Sequence, residues 1–193
     1  MDKKLVLASS SPRRREILEN LNLDFDIIKS DTTEKVKDGE LPEHIVMALA
    51  VEKSLDISRS LEPGRIVIAA DTIVYKEKVL GKPSSYEEAY QTLKALQNDI
   101  HYVYTGLAVI ESGSYRKIVT YEKTKVKIKK LSEDKIEKYI DTGEVWDKAG
   151  SYGIQGFGST IVEWIEGDYF SVVGLPVAKL EDILFKHFNI SIL

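Results

Sequence analysis

No cysteine occurs among the 193 residues of this chain. That absence removes disulfide scaffolds, thiolate nucleophiles and Cys-ligated zinc or iron–sulfur centres together. Histidine is nearly as scarce: His44, His101 and His187 stand at no metal-ligand spacing such as H-x-x-x-H, so a histidine metal site or a Ser-His-Asp triad has little support. His101, which opens a strand, reads as structural. No apolar run reaches the ~18 residues of a membrane span. The opening Met1-Asp2-Lys3-Lys4 is followed only by Leu5-Val6-Leu7-Ala8 before the chain turns polar, too short a stretch for the core of a signal peptide. The expectation is a soluble, cytoplasmic protein with no membrane partner. A positive excess is also missing, since 27 Lys and Arg face 31 Asp and Glu for a net charge of −4. No overall field then draws nucleic acid, and any anion site must be local. No P-loop pattern G-x-x-x-x-G-K-[ST] is found.

What is present is an ordinary globular balance, 43% hydrophobic and 30% charged. A chain of this length buries about 70% of its unfolded surface, and one domain over residues 1–193 is expected. Leu5 to Ala8 suits a buried strand, and Ser9-Ser10-Ser11-Pro12 supplies an N-cap hydroxyl with proline at the first helical position, predicting a helix from Pro12 to Asn20. A strand over Phe25–Lys29, a helix over Pro42–Ser58 and a buried strand over Ile66–Ala70 ending on Asp71 follow. Ile73 to Leu80 reads as a short hairpin, and Ser84-Ser85-Tyr86-Glu87 as a capping box for a helix ending near Gln97. Strands over Tyr102–Ile110 and Lys117–Ile128, a Ser132-capped helix to Thr142 and a loop from Trp146 to Gly158 come next. The chain closes on a hairpin of Ile161–Ile165 with Tyr169–Val173 and a last helix from Pro176 to Phe188. The fold class is α/β: a mixed twisted sheet flanked by helices, in two lobes around a central cleft.

Three constellations carry chemistry. Arg13, Arg14 and Arg15 crowd the first turn of the first helix, the end where the helix dipole already supplies positive charge, so an anion is expected there. With Ser9, Ser10 and Ser11 they compose a phosphate cradle; the alternative is a capped surface helix with solvated arginines. Asp71 is the first charged residue after an apolar strand, where a carboxylate can hold a divalent ion or accept a proton from water, or serve as a turn carboxylate. Glu34, in the polar segment after the second strand, is the second candidate carboxylate. Lys53, Lys82 and Lys148 each suit either a site or plain exposure, with Lys82 stiffened by Gly81 and Pro83. The stretch Lys148-Ala149-Gly150-Ser151-Tyr152-Gly153-Ile154-Gln155-Gly156 offers close backbone approach and an amide, Gln155, able to pair with a base edge; the alternative is a flexible loop.

Taken together, Leu7-Ala8-Ser9-Ser10-Ser11-Pro12-Arg13-Arg14-Arg15-Glu16-Ile17-Leu18, Ala70-Asp71-Thr72-Ile73-Val74, Leu80-Gly81-Lys82-Pro83, His101-Tyr102-Val103-Tyr104-Thr105-Gly106, Asp147-Lys148-Ala149-Gly150-Ser151-Tyr152-Gly153-Ile154-Gln155-Gly156 and Gly167-Asp168-Tyr169-Phe170-Ser171-Val172-Val173-Gly174-Leu175-Pro176 resemble the Maf family of nucleoside triphosphate pyrophosphatases, in order and across nearly the whole chain. The resemblance implies a fold related to inosine triphosphate pyrophosphatases. It also implies hydrolysis of a nucleoside triphosphate to monophosphate and pyrophosphate with Mg²⁺ or Mn²⁺. Carried over, Asp71 is the proton acceptor and a metal ligand with Glu34, while Ser9, Arg13, Arg14, Lys53 and Lys82 contact phosphate. Arg13, Thr72 and Gln155 match the branch acting on dTTP and UTP; Phe157 departs from an Arg that often follows Ile-Gln-Gly. A homodimer is the family-level expectation. The rival reading is a nucleotide-binding regulator of septum formation, against which the retention of both Asp71 and Glu34 argues.

Overall fold

The computed structural model describes residues 4–32 and 39–193. The chain begins with β1 (Leu5–Leu7), buried throughout, and enters α1 (Pro12–Asn20) through the serine turn. Proline sets this start sharply, because its fixed φ suits the first helical residue and its missing N–H would have no partner there anyway. The same device opens α2 (Pro42–Ser58), whose buried Ile45, Val46, Leu49, Ala50 and Ile57 form one apolar stripe. Between them lies β2 (Phe25–Ile27), two residues shorter than the strand expected over Phe25–Lys29. The remaining order is β3 (Ile66–Lys76), β4 (Lys78–Leu80), α3 (Tyr86–Leu96), β5 (Ile100–Glu111), β6 (Lys117–Ile128) and α4 (Glu133–Asp141). Two 3₁₀ turns at Ala149–Ser151 and Gly156–Thr160 precede β7 (Val162–Glu166), α5 (Tyr169–Val173) and α6 (Val177–Phe188).

These strands make one seven-stranded mixed sheet in the order β2-β1-β3-β5-β6-β7, with β4 paired to β3. The α/β class and the mixed sheet with flanking helices are as expected. β1 runs parallel to both neighbours, Leu7 standing opposite Ile27 and Ile68, while β4 and β7 are antiparallel to β3 and β6. The residues divide into two compact units. One holds Met1–Asp71, Thr105–Glu122 and Gly174–Leu193, the other Thr72–Tyr104 and Lys123–Val173. In the first, Val6, Ala8, Ile57, Val67 and Ala69 pack together, and Gly106 of β5 lies so close to α2 that a Cβ there would fall 2.1 Å from the Val46 carbonyl oxygen. In the second, Leu93 and Leu96 of α3, Ile136 and Ile140 of α4 and Val126 and Ile128 of β6 share a core.

Two expectations are corrected. β3 does not end on Asp71 but continues to Lys76. The β-branched and aromatic run Thr72-Ile73-Val74-Tyr75 sustains the strand, and β4 pairs with its far end, Val74 opposite Leu80. Asp71 is therefore a mid-strand residue. Tyr169–Val173 is a helix, not the second arm of a hairpin. The Asp168 carboxylate accepts the Ser171 backbone N–H, and this N-terminal cap outweighs the strand propensity of Tyr, Phe and Val.

Candidate active site

In the first unit, the serine turn leads into α1. The expected cap hydroxyl is not the one used: Ser11, in extended conformation, makes no side-chain cap. Instead Ser9, 8% exposed, accepts the Ser11 backbone N–H at 3.1 Å and Arg14 Nη1 at 3.4 Å. Arg14 Nε also donates to the Gly174 carbonyl at 2.7 Å. The guanidinium is thus held in a fixed plane across the helix start, and its neighbour Arg13 is half-buried. Arg15 leaves this group; it pairs along the helix with Glu19 at 2.7 Å on the exposed face. A helix start carrying two half-buried guanidinium groups and no acidic residue in its first turn suits a phosphate chain.

Parallel pairing of β1 with β3, continued by Ala8 N donating to Ile68 O at 2.8 Å, brings the end of β1 alongside the stretch of β3 that ends in Asp71. Lys53, on α2, donates to Asp71 Oδ1, and their side chains are only 14% and 9% exposed. A buried pair of this kind fixes a carboxylate in position more surely than it stabilises the fold. Glu34 lies outside the described residues. Among the described residues no group of three or more His, Asp or Glu side chains gathers as a metal site. The buried carboxylate of Asp71 nevertheless fits Mg²⁺, which takes one or two carboxylates and completes its shell with water and substrate phosphate.

In the second unit stand Thr72, half-buried next to Asp71 in the chain, and the exposed Lys82 and Gln155. Lys82 and Gln155 belong to loops that touch, Gly150 N donating to Gly81 O at 2.9 Å. Gly150 (φ +68°) packs on Val74, where a Cβ would meet three side-chain carbons at 2.9 Å; only glycine allows that approach. Gln155 precedes the short turn Gly156–Thr160. The loop expected from Trp146 to Gly158 is therefore ordered by two 3₁₀ turns and by side chains the sequence did not single out. Glu144 accepts the Phe157 and Gly158 backbone N–H groups at 2.9 and 3.1 Å. Tyr139 donates its hydroxyl to Glu144 at 3.4 Å and accepts Gly153 N at 3.1 Å. Burial, which disfavours the phenolate, raises the Tyr139 pKa above its ordinary value. Lys148 is a strut here, bonding the Glu144 carbonyl at 2.6 Å and Asp147 at 2.8 Å. His101 and Tyr152 share a buried hydrogen bond of 2.6 Å between Nε2 and the hydroxyl. Burial holds His101 neutral, its pKa lowered to about 4, and raises that of Tyr152. His101 is structural, as expected. Glu144 follows the helix stop at Gly143 and reads in sequence as one more loop carboxylate, so no local signal marked it.

A family model described as Maf-like protein matches residues 4–187. A protein of Caldanaerobacter subterraneus subsp. tengcongensis named dTTP/UTP pyrophosphatase is 54% identical over 188 residues, 97% of this chain and 90% of the relative. A Thermoanaerobacter sp. protein of the same name is 50% identical over 191 residues, 98% and 100% of the two chains. Among solved structures, a HAM1 protein from Coxiella burnetii is 14% identical and superposes with a TM-score of 0.49 over 82% of this chain and 79% of that one.

Proposed function

Since this chain belongs to the Maf-like protein family, with a match running from residue 4 to 187, we propose that it is a nucleoside triphosphate pyrophosphatase acting on dTTP and UTP. The observation that carries the reading is the pairing of a buried, lysine-held carboxylate with an arginine-lined helix start in one unit. The helix start takes phosphate oxygens and the carboxylate takes a proton. Relatives at 54% and 50% identity bear the name of this activity.

In this mechanism Ser9, Arg13 and Arg14 hold the triphosphate at the start of α1, with Lys53 and Lys82 as further phosphate contacts. Asp71 accepts a proton from water, whose oxygen forms a bond to the α-phosphorus as the bond from that phosphorus to the bridging oxygen breaks. Pyrophosphate departs with the electron pair, and the nucleoside monophosphate remains. Most of the barrier is lowered by positioning and charge rather than by covalent chemistry. Mg²⁺ or Mn²⁺ would be held by Asp71 and Glu34 with phosphate oxygens, and when bound it supplies neutralisation of the phosphate charge. Arg13, Thr72 and Gln155 select the pyrimidine, Gln155 by hydrogen bonds to the base edge. A cytoplasmic setting and a homodimer complete the reading; among the described residues no helix is long and apolar enough to cross a membrane.

Ion-exchange analysis of products from dTTP, UTP, CTP, GTP and 7-methyl-GTP, with and without Mg²⁺, tests the proposal. Monophosphate and pyrophosphate from dTTP and UTP, dependent on the metal, are expected. Orthophosphate as the product would make the protein a phosphatase. Tight binding with no turnover would make it a nucleotide-binding regulator.

A further inference from the structure

Gln155 is exposed, and its backbone (φ −97°, ψ 173°) leads into the Gly156–Thr160 turn with no side-chain cap of its own. Where its amide sits is therefore decided by what holds that turn. Both oxygens of Glu144 do so: Oε1 accepts Phe157 N at 2.9 Å, and Oε2 accepts Gly158 N at 3.1 Å. These are charge-assisted bonds to two successive backbone N–H groups. Gly156 (φ +59°) makes the approach possible, since a Cβ there would lie 2.2 Å from Oε1. At the other side of the loop the Glu144 carbonyl takes Lys148 Nζ, and the Lys148 stem lies against Gly153, where a Cβ would meet its Cε at 2.8 Å. Glu144 thus holds the loop after Gln155 directly and before it through Lys148.

We propose that Glu144 is a specificity-positioning residue, fixing the turn that carries Gln155 and thereby the preference for thymine and uracil over cytosine. This rests on the base-reading role proposed above for Gln155. An amide has an acceptor and a donor side, so it fits the N3–H and O4 of thymine or uracil. Turned over, it fits the N3 and N4 amino group of cytosine equally well. Discrimination by a glutamine then depends on where the backbone places its amide against the base edge. Glu144 supplies that constraint without touching substrate.

The test measures kcat and KM for dTTP and dCTP in Glu144→Gln, Gly156→Ala and Gln155→Ala, with hydrogen exchange at the Phe157 and Gly158 amides. A glutamine at 144 keeps one acceptor and sets its NH₂ against a backbone N–H. Gly156→Ala displaces the same carboxylate from the opposite side while leaving Glu144 in place. Both variants should exchange faster at these amides and lose about tenfold in the dTTP:dCTP ratio of kcat/KM, mostly through a higher KM for dTTP. Because Gly156→Ala reports on the same contact, the test survives a Glu144 variant that fails to fold. A uniform loss of kcat on both nucleotides with the ratio intact would make Glu144 a merely structural residue. If Gln155→Ala abolishes the preference while the other two variants retain it, the positioning role alone falls. If Gln155→Ala also keeps the preference, the base-reading assignment falls and the positioning role with it.

Discussion

Asp71 and Lys53 are a pair whose partners do different work. The ammonium orients the carboxylate, and only the carboxylate can take a proton. Asp71→Asn preserves the shape and an oxygen for Lys53 to bond, yet removes the basic site. Steady-state kinetics on dTTP should show kcat lower by about 10²–10⁴-fold, in the range of a lost general base, with KM little altered. A rise in KM that accounts for the whole loss would assign Asp71 to binding. The type of residue was legible in the sequence, since an acidic group after five apolar positions is conspicuous. Its setting was not, because Ile73-Val74-Tyr75 reads as the first arm of a separate hairpin and is the continuation of the same strand.

At the scale of elements, β5 and α2 meet at Gly106, with the Val46 carbonyl oxygen where a side chain would begin. The obstacle is backbone, so no rotamer change relieves it. Gly106→Ala should destabilise the protein by about 1–3 kcal/mol, the usual cost of overpacking a tight core, read as a lower urea midpoint. An unchanged midpoint would mean that the helix shifts freely, against the close packing described. Elements with strong end signals form where expected: proline starts α1 and α2, while the capping box expected over Ser84–Glu87 forms one residue later, Ser85 accepting Glu88 N and Glu88 accepting from Ser84 in return. The failure at Tyr169–Val173 has a physical cause. Five residues of strand-like composition carry little weight against one well-placed aspartate at their start.

For the molecule as a whole, acid stability should bear the mark of His101. Folded, its pKa is lowered to about 4, whereas its ordinary value is 6.5. Between these limits the unfolded chain binds a proton that the folded one refuses. Its contribution is therefore complete above pH 6.5 and is lost as the pH falls toward 4, by roughly 3 kcal/mol at the acid end. Urea midpoints near neutrality and at about pH 4.5 should diverge less in His101→Gln than in the parent. Equal divergence would remove His101 from this role. The sequence singled out Ser9, Arg13, Arg14, Lys53 and Lys82 by type as candidate phosphate contacts, because serine, arginine and lysine announce themselves. It could not show Glu144 or Tyr139, whose importance arises from backbone groups thirteen or more residues away.

Arg14 bonds the carbonyl of Gly174, a residue 160 positions later in the chain. During synthesis the arginine emerges with the first helix, whereas its acceptor is added roughly 10 to 30 s afterwards at the usual pace of translation. A chain that stops short of Gly174 has Ser9 as an acceptor for Arg14 Nη1 but lacks the carbonyl that takes Arg14 Nε. The full set of bonds that orients Arg14 therefore waits on translation of Gly174.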